Sequence, residues 1–306
     1  MRLEAVVLRE VVLPLLAPFE GAAVQAARKR FVLVEARAGG QAGWGECVAL
    51  ETPFYTSETV ETAWHILHDF LAPAVLQGEV NPPNLPDAFQ RVKGHPMAKA
   101  ALETALWDLE ARVRGQALAE VWGANREAVP AGVSLGLAPS LDELFRQVDR
   151  FLEQGYRRVK VKVVPGRDLV VLEALRNRYG PIPLMVDANG AYTWEDLPRL
   201  QAMDAFDLLM IEEPLGEADL EAYARLQATL RTPICLDESL PHPRAVRRGG
   251  APGGGPGGQP GQGGVGGAAA AREIEAGCPG GGGGLGVGGL VGSGGGGGAG
   301  PGLFET

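Results

Sequence analysis

Met185-Val186-Asp187-Ala188-Asn189 is a short apolar run that stops in a carboxylate, and two later stretches repeat the pattern: Met210-Ile211-Glu212-Glu213-Pro214 and Cys235-Leu236-Asp237-Glu238-Ser239. Asp187, Glu212 and Asp237 follow one another at intervals of 25 residues, which leaves room for one strand, one helix and two loops. The three acids are therefore expected at the same end of three successive parallel strands. Converging carboxylates repel unless a cation neutralises them. Oxygen-only donors, with the rest of the shell left to water and substrate, suit a hard divalent ion such as Mg2+ or Mn2+.

One strand earlier lies Arg158-Val159-Lys160-Val161-Lys162-Val163-Val164. Residues two apart in a strand share a face, so Lys160 and Lys162 point the same way, toward a barrel interior, while the valines pack on the other side. A lysine held beside another cation and partly desolvated loses some of its preference for the proton and can serve as a base. A base next to a cation that can hold an enolate is equipment for removing a proton from carbon beside a carboxylate. Any one of these acids alone would more often be a helix cap or an ion-pair partner; three at equal spacing after a paired-lysine strand make the pattern specific.

Lys160-x-Lys162, Asp187-x-Asn189, Ile211-Glu212-Glu213-Pro214 and Asp237-Glu238-Ser239, in this order, resemble the enolase superfamily in its muconate-lactonising subgroup, and more closely the o-succinylbenzoate synthase and N-acylamino acid racemase family. Gly45-Glu46, His95-Pro96-Met97-Ala98-Lys99-Ala100, Trp107-Asp108-Leu109, Gly132-Val133-Ser134-Leu135-Gly136 and Glu153-Gln154-Gly155-Tyr156-Arg157-Arg158 support it. The likeness runs from the first residues to about Arg248. It implies an α/β fold, an enolase-type (β/α) barrel with an N-terminal α+β cap, and a metal-dependent lyase with Lys162 as base and Lys160 tuning it. Asp187, Glu212 and Asp237 would be the metal ligands. Asn189 is a candidate for orienting Asp187 or the substrate, and Ser134 is either a substrate contact or a small residue filling a barrel layer.

Composition agrees with that class. Of the 306 residues, 45% are hydrophobic and 21% charged, as in a globular protein. No run of about 18 apolar residues offers a membrane span. A net charge of −9 argues against a nucleic-acid surface. Cys47, Cys235 and Cys278 are scattered and odd in number, which fits reduced thiols. The start of the chain lacks the layout of a secretion signal, so a cytoplasmic protein acting on a small carboxylate is expected; a homo-oligomer is compatible with this.

In chain order, strands are expected at Ala5 to Leu15, Arg30 to Arg37 and Ala42 to Val48, with a loop at residues 17–23 that is either an ordinary hairpin connection or, as in the resembled family, a loop folding over the barrel mouth. A helix follows from Ser57 to Leu76. Pro96 opens another, with Met97, Ala101, Leu102, Ala105, Leu106 and Leu109 on its apolar face. His65 and His68 lie one turn apart without a third ligand and are expected in solvent. This cap occupies residues 1–125. The barrel, residues 126–248, should begin near Val129 and continue through a helix from Leu141 to Gln154, the lysine strand, a helix capped by Asp168, a Thr193/Asp196 helix start and a helix from Ala218 to Leu230.

Composition breaks at residue 249: 29 of the 45 glycines lie in residues 249–306. Such a stretch buries too little apolar area to offset its conformational entropy and is expected to be disordered, a low-complexity region in place of the barrel end. Arg272-Glu273-Ile274 and residues 288–294 echo the family in register, as if an intact end had been overwritten. Counted on from Asp237, the family's second lysine falls at Gly261. The leading expectation is o-succinylbenzoate synthase, dehydrating 2-succinyl-6-hydroxy-2,4-cyclohexadiene-1-carboxylate in menaquinone synthesis. N-acylamino acid racemisation is the alternative, and an inactive remnant with a lost barrel end is a second one.

Overall fold

The structure is a computed structural model that describes residues 1–20, 25–53, 56–123, 132–216, 219–239 and 257–258. Three antiparallel strands come first: β1 (Ala5–Glu20), β2 (Gln25–Ala38) and β3 (Gln41–Cys47), in the order β1-β2-β3. β1 and β2 run well past the expected ends. Residues 17–20 continue the strand instead of forming a loop, and residues 21–23 lie outside the described residues. The extended strand contains Pro14 and Pro18. They are tolerated because β1 is an edge strand and its ladder shifts register between Pro14 and Phe19.

The helix expected over residues 57–76 is three pieces: α1 (Val60–Ile66), a π-turn over Leu67–Leu71 and α2 (Ala72–Leu76). Pro73 is the cause, since its ring clashes with the carbonyl four residues back. The chain widens instead, and the amide of Ala72 donates to the carbonyl of Leu67, five residues back. His65 and His68 are exposed here and both meet Asp69. After the short α3 (Leu85–Phe89) comes α4 (Pro96–Arg114). Its first amides, at Met97 and Ala98, donate to the buried carboxylate of Glu58 at 2.7 and 3.1 Å. All six apolar-face residues expected from the sequence are buried.

β3 meets α4 through Gly43 and Gly45. A β-carbon at Gly45 would stand 1.9 Å from the carbonyl oxygen of Ala101, so only glycine permits this approach. The core of this first part runs from β2 and β3 through α1 to α4.

α5 (Leu118–Trp122) leads to a second, parallel sheet. Its strands are β4 (Gly132–Leu135), β5 (Arg158–Lys162), β6 (Leu184–Asp187), β7 (Ile211–Glu212), β8 (Ile234–Leu236) and β9 (Gly257–Gly258), in that spatial order. Between them lie α6 (Leu141–Glu153), α7 (Asp168–Tyr179), α8 (Leu197–Met203) and α9 (Leu220–Gln227). Parallel neighbours joined by helices are the wall of a (β/α) barrel. Val133, Val159, Val161, Leu184, Val186, Ile211 and Ile234 face the helices and form the second core.

Three expectations are revised. Asp168 is not a cap: it is the first residue of α7, fully buried, and accepts from the hydroxyl of Tyr192 and from Arg199, each at 2.7 Å. α9 is shorter than expected and starts after Asp219, whose side chain accepts from the amide of Ala222. Within the glycine-rich stretch Gly257 and Gly258 pair with Cys235 and Leu236 as a sixth strand, because a ladder is a backbone structure that needs no side chain. The rest of that stretch, Gly261 and Cys278 included, lies outside the described residues. Among the described residues no helix is long and apolar enough to cross a membrane.

Candidate active site

Strand register brings the sequence-selected residues together. Ser134 pairs with Lys160, Lys162 with Asp187, and Asp187 with Glu212. Asp187 and Glu212 are the last residues of β6 and β7, and Asp237 is the first residue after β8. In β5 the valines are buried while Lys160 and Lys162 keep 14% and 15% side-chain exposure, so both lysines lie on the face away from the helices.

Lys160 is held tightly. Its ammonium lies 2.8 Å from each oxygen of Glu212 and 3.5 Å from Oδ2 of Asp187. Lys162 stands 3.4 Å from Oδ2 of Asp187 and donates to Oδ1 of Asn189. Asn189 has a left-handed backbone at φ 43°; its amide donates to Asp187 at 3.1 Å and its side-chain NH2 to Glu238 at 3.0 Å. Ser134 is an exposed neighbour of Lys160 on the adjoining strand.

Burial raises the Glu212 carboxyl to about 7; Lys160 opposes the rise and Asp187 adds to it. Burial alone pulls the Lys160 ammonium down, but Glu212 and Asp187 outweigh it, so the amine is more basic than an ordinary lysine. Burial likewise raises the carboxyl of Glu238, with Glu213 and Asp187 adding to it. These directions describe a site in which negative charge is crowded and desolvated.

The donor chemistry fits a hard divalent cation: oxygen-only acids stand at three neighbouring strand ends, two of them nearly out of solvent. Among the described residues, however, no three acids are gathered into a coordination set. The ammonium of Lys160 bridges Asp187 and Glu212 instead.

Two contacts escape a reading by strand alternation. Glu238 follows Asp237 and is expected to face away, yet it reaches Asn189. Glu213 does turn away from Lys160, into the layer under α9, but its carboxylate returns to the amide of Asp237. The only sequence signal was the acid doublet itself, Glu212-Glu213 and Asp237-Glu238.

Comparison with known proteins agrees with this architecture. Residues 3–123 match the model of the mandelate racemase / muconate lactonizing enzyme N-terminal domain, and residues 143–289 match the enolase C-terminal domain-like model, reaching into the glycine-rich stretch. The o-succinylbenzoate synthase of Geobacillus kaustophilus is 45% identical over 78% of this chain and 64% of its own length. The chain thus spans a little under two thirds of that relative. An N-succinylamino acid racemase of Amycolatopsis is 39% identical over 91% of the chain and 76% of its own length. The structure of a probable mandelate racemase from Alicyclobacillus acidocaldarius, 39% identical, superposes with a TM-score of 0.86 over 96% of this chain and 79% of that one. The chain therefore belongs to the mandelate racemase / muconate lactonizing enzyme group of the enolase superfamily.

Proposed function

We propose that the protein is an o-succinylbenzoate synthase, a carbon-oxygen lyase acting on 2-succinyl-6-hydroxy-2,4-cyclohexadiene-1-carboxylate. The observation that carries this reading is the meeting of Lys160, Lys162, Asp187 and Glu212 at neighbouring strand ends, in a chain similar to several synthases of that name. In the proposed mechanism Lys162, at the last position of β5, takes the proton from the carbon beside the substrate carboxylate. Lys160, fixed by Glu212 and Asp187, supplies positive charge below it. Asn189 holds the Lys162 amine from the next strand end. The proton returns to the departing hydroxyl, so the net change is loss of one water. Asp187, Glu212 and Asp237 would hold a divalent cation, Mg2+ or Mn2+, which when bound neutralises the substrate carboxylate. Ser134 would line the substrate side of β4.

The test is turnover of the cyclohexadiene carboxylate by the full chain with Mg2+ or Mn2+, followed as o-succinylbenzoate formed. Lys162→Ala should lose at least about a hundredfold, the usual scale for general acid-base catalysis, and keep its fold. Near-normal turnover by that variant would show that another group takes the proton.

A second reading is racemisation of N-succinylamino acids, favoured by the likeness to the Amycolatopsis racemase along 91% of the chain. Polarimetry on an N-succinylamino acid separates the two. If the chain holds the cation and performs neither reaction, the non-catalytic reading attached to Gly261 and the glycine-rich stretch stands.

A further inference from the structure

Glu213 is a buried carboxylate that the proposed chemistry does not use. It is 4% exposed, and its backbone φ of 39° lies where side-chain-bearing residues are uncommon. Glu212 faces Lys160, whereas Glu213 faces Tyr223 of α9.

Among the described residues its partners are all N–H and O–H donors. One oxygen accepts from the Tyr223 hydroxyl at 2.8 Å and from the Ser239 hydroxyl. The other accepts from the amides of Asp237 at 2.8 Å and Ser239 at 3.3 Å. The main chain of the same residue donates to the carbonyl of Cys235 at 2.8 Å and accepts from the amide of Gly190 at 2.7 Å. One residue therefore ties together the turn after β6, the end of β7 and the turn after β8. A carboxylate satisfied by preorganised donors on a neighbouring segment fixes where that segment lies.

We propose that Glu213 is a positioning residue: by clamping Asp237 and Ser239 to the end of β7, it sets where the Asp237 carboxylate stands relative to Asp187 and Glu212. The inference rests on the reading of those three acids as the cation site. Removing the clamp would then weaken cation binding although Glu213 itself points away from the cation.

Mn2+ titration of the full chain, by calorimetry and with thermal midpoints, tests this in five proteins: the parent, Glu213→Ala, Glu213→Asp, Glu213→Gln and Tyr223→Phe. In Glu213→Gln the amide oxygen can accept from the two backbone amides. Its NH2 can donate to the two hydroxyl oxygens, and the single Tyr223 hydroxyl hydrogen then goes to the carbonyl of Leu215, 2.7 Å away. This variant should bind Mn2+ within about threefold of the parent, while Glu213→Ala should bind about 10- to 100-fold more weakly, the scale for losing an outer-shell partner. Glu213→Asp, one methylene short of spanning both donor sets, should fall between them. Tyr223→Phe should lower the thermal midpoint without changing Mn2+ affinity.

Parent-like affinity in Glu213→Ala overturns the proposal, as does a loss in Tyr223→Phe equal to that in Glu213→Ala, which would mean general loosening. If Glu213→Ala does not fold, parent-like affinity in Glu213→Asp overturns it. Failure of the parent itself to bind Mn2+ removes the cation reading and this inference with it, and is distinguishable because it appears before any substitution.

Discussion

Replacing Lys160 by Met removes an ammonium that bridges two buried acids. At an effective dielectric constant of about 20, unit charges 2.8 and 3.5 Å apart, as Lys160 stands from Glu212 and Asp187, attract by about 6 and 5 kcal/mol. Desolvation offsets part of this, and losing one partner of a buried ionic group costs about 3–5 kcal/mol net. Protonation limits the damage. Burial holds the Glu212 carboxyl near 7 even with Lys160 present, and without that lysine it must rise further. A carboxyl raised above its unfolded value takes up protons on folding, so it erodes stability as pH rises from the unfolded value, 4.5, through the folded one. In the parent this erosion levels off above about 7; in Lys160→Met it continues, at up to about 1.4 kcal/mol per pH unit. Urea unfolding with a chelator present, followed by tryptophan fluorescence, should show a loss of about 3–5 kcal/mol at pH 8 that is smaller by about 1 kcal/mol at pH 6. A loss under about 1 kcal/mol, or one identical at both pH values, would refute the reasoning.

Mn2+ should raise the thermal midpoint of the parent, and Asp187→Asn, Glu212→Gln and Asp237→Asn should each abolish the rise, because a cation that binds only the folded strand ends stabilises them; full shifts in all three variants would remove these acids from the site. Gly45→Ala places a β-carbon 1.9 Å from the backbone of α4 and should cost about 3 kcal/mol or more in urea unfolding. Gly78→Ala, with open space around it, should stay within about 0.5 kcal/mol of the parent. Asp168→Asn disturbs the contacts to Arg199 and Tyr192 and should cost about 2–3 kcal/mol, since hydrogen bonds to charged groups are the stronger ones; a neutral result would show that α7 and α8 do not depend on it.

Much of the barrel wall was legible because β6, β7 and β8 are short apolar runs cut off by an acid, and the interval between the acids measures one strand-helix unit. What escaped depended on tertiary context. The segment holding Pro18 reads as a loop, but β1 is an edge strand and a ladder that shifts register between Pro14 and Phe19 absorbs it. Pro73 widens a helix already in progress, and Leu67 and Leu71 of the widened turn are both buried in the core. Asp168 has the residue type and place of a cap. Only the folded positions of Tyr192 and Arg199, 24 and 31 residues away in the chain, recruit it elsewhere. Two glycines form β9 because parallel pairing uses backbone groups alone.

The site shows the same division, and it separates the two lysines. Alternation along β5 put both amines on one face, and the sequence carried that fact outright. Their inequality came from where the strand stops. Lys160 lies one full repeat inside the sheet, opposite Met185, and three carboxylate oxygens surround it. An amine so held is basic and immobile, suited to supplying charge and unsuited to accepting a proton from substrate. Lys162 stands at the strand's end, opposite Asp187, and its amine is shared with a side-chain amide oxygen on a turn. That turn exists because Asn189 adopts a left-handed backbone, a conformation Asn tolerates better than most residues. Position along one strand, two residues apart, thus gives two identical side chains different surroundings, and it is the outer one that can meet a substrate at the mouth of the barrel.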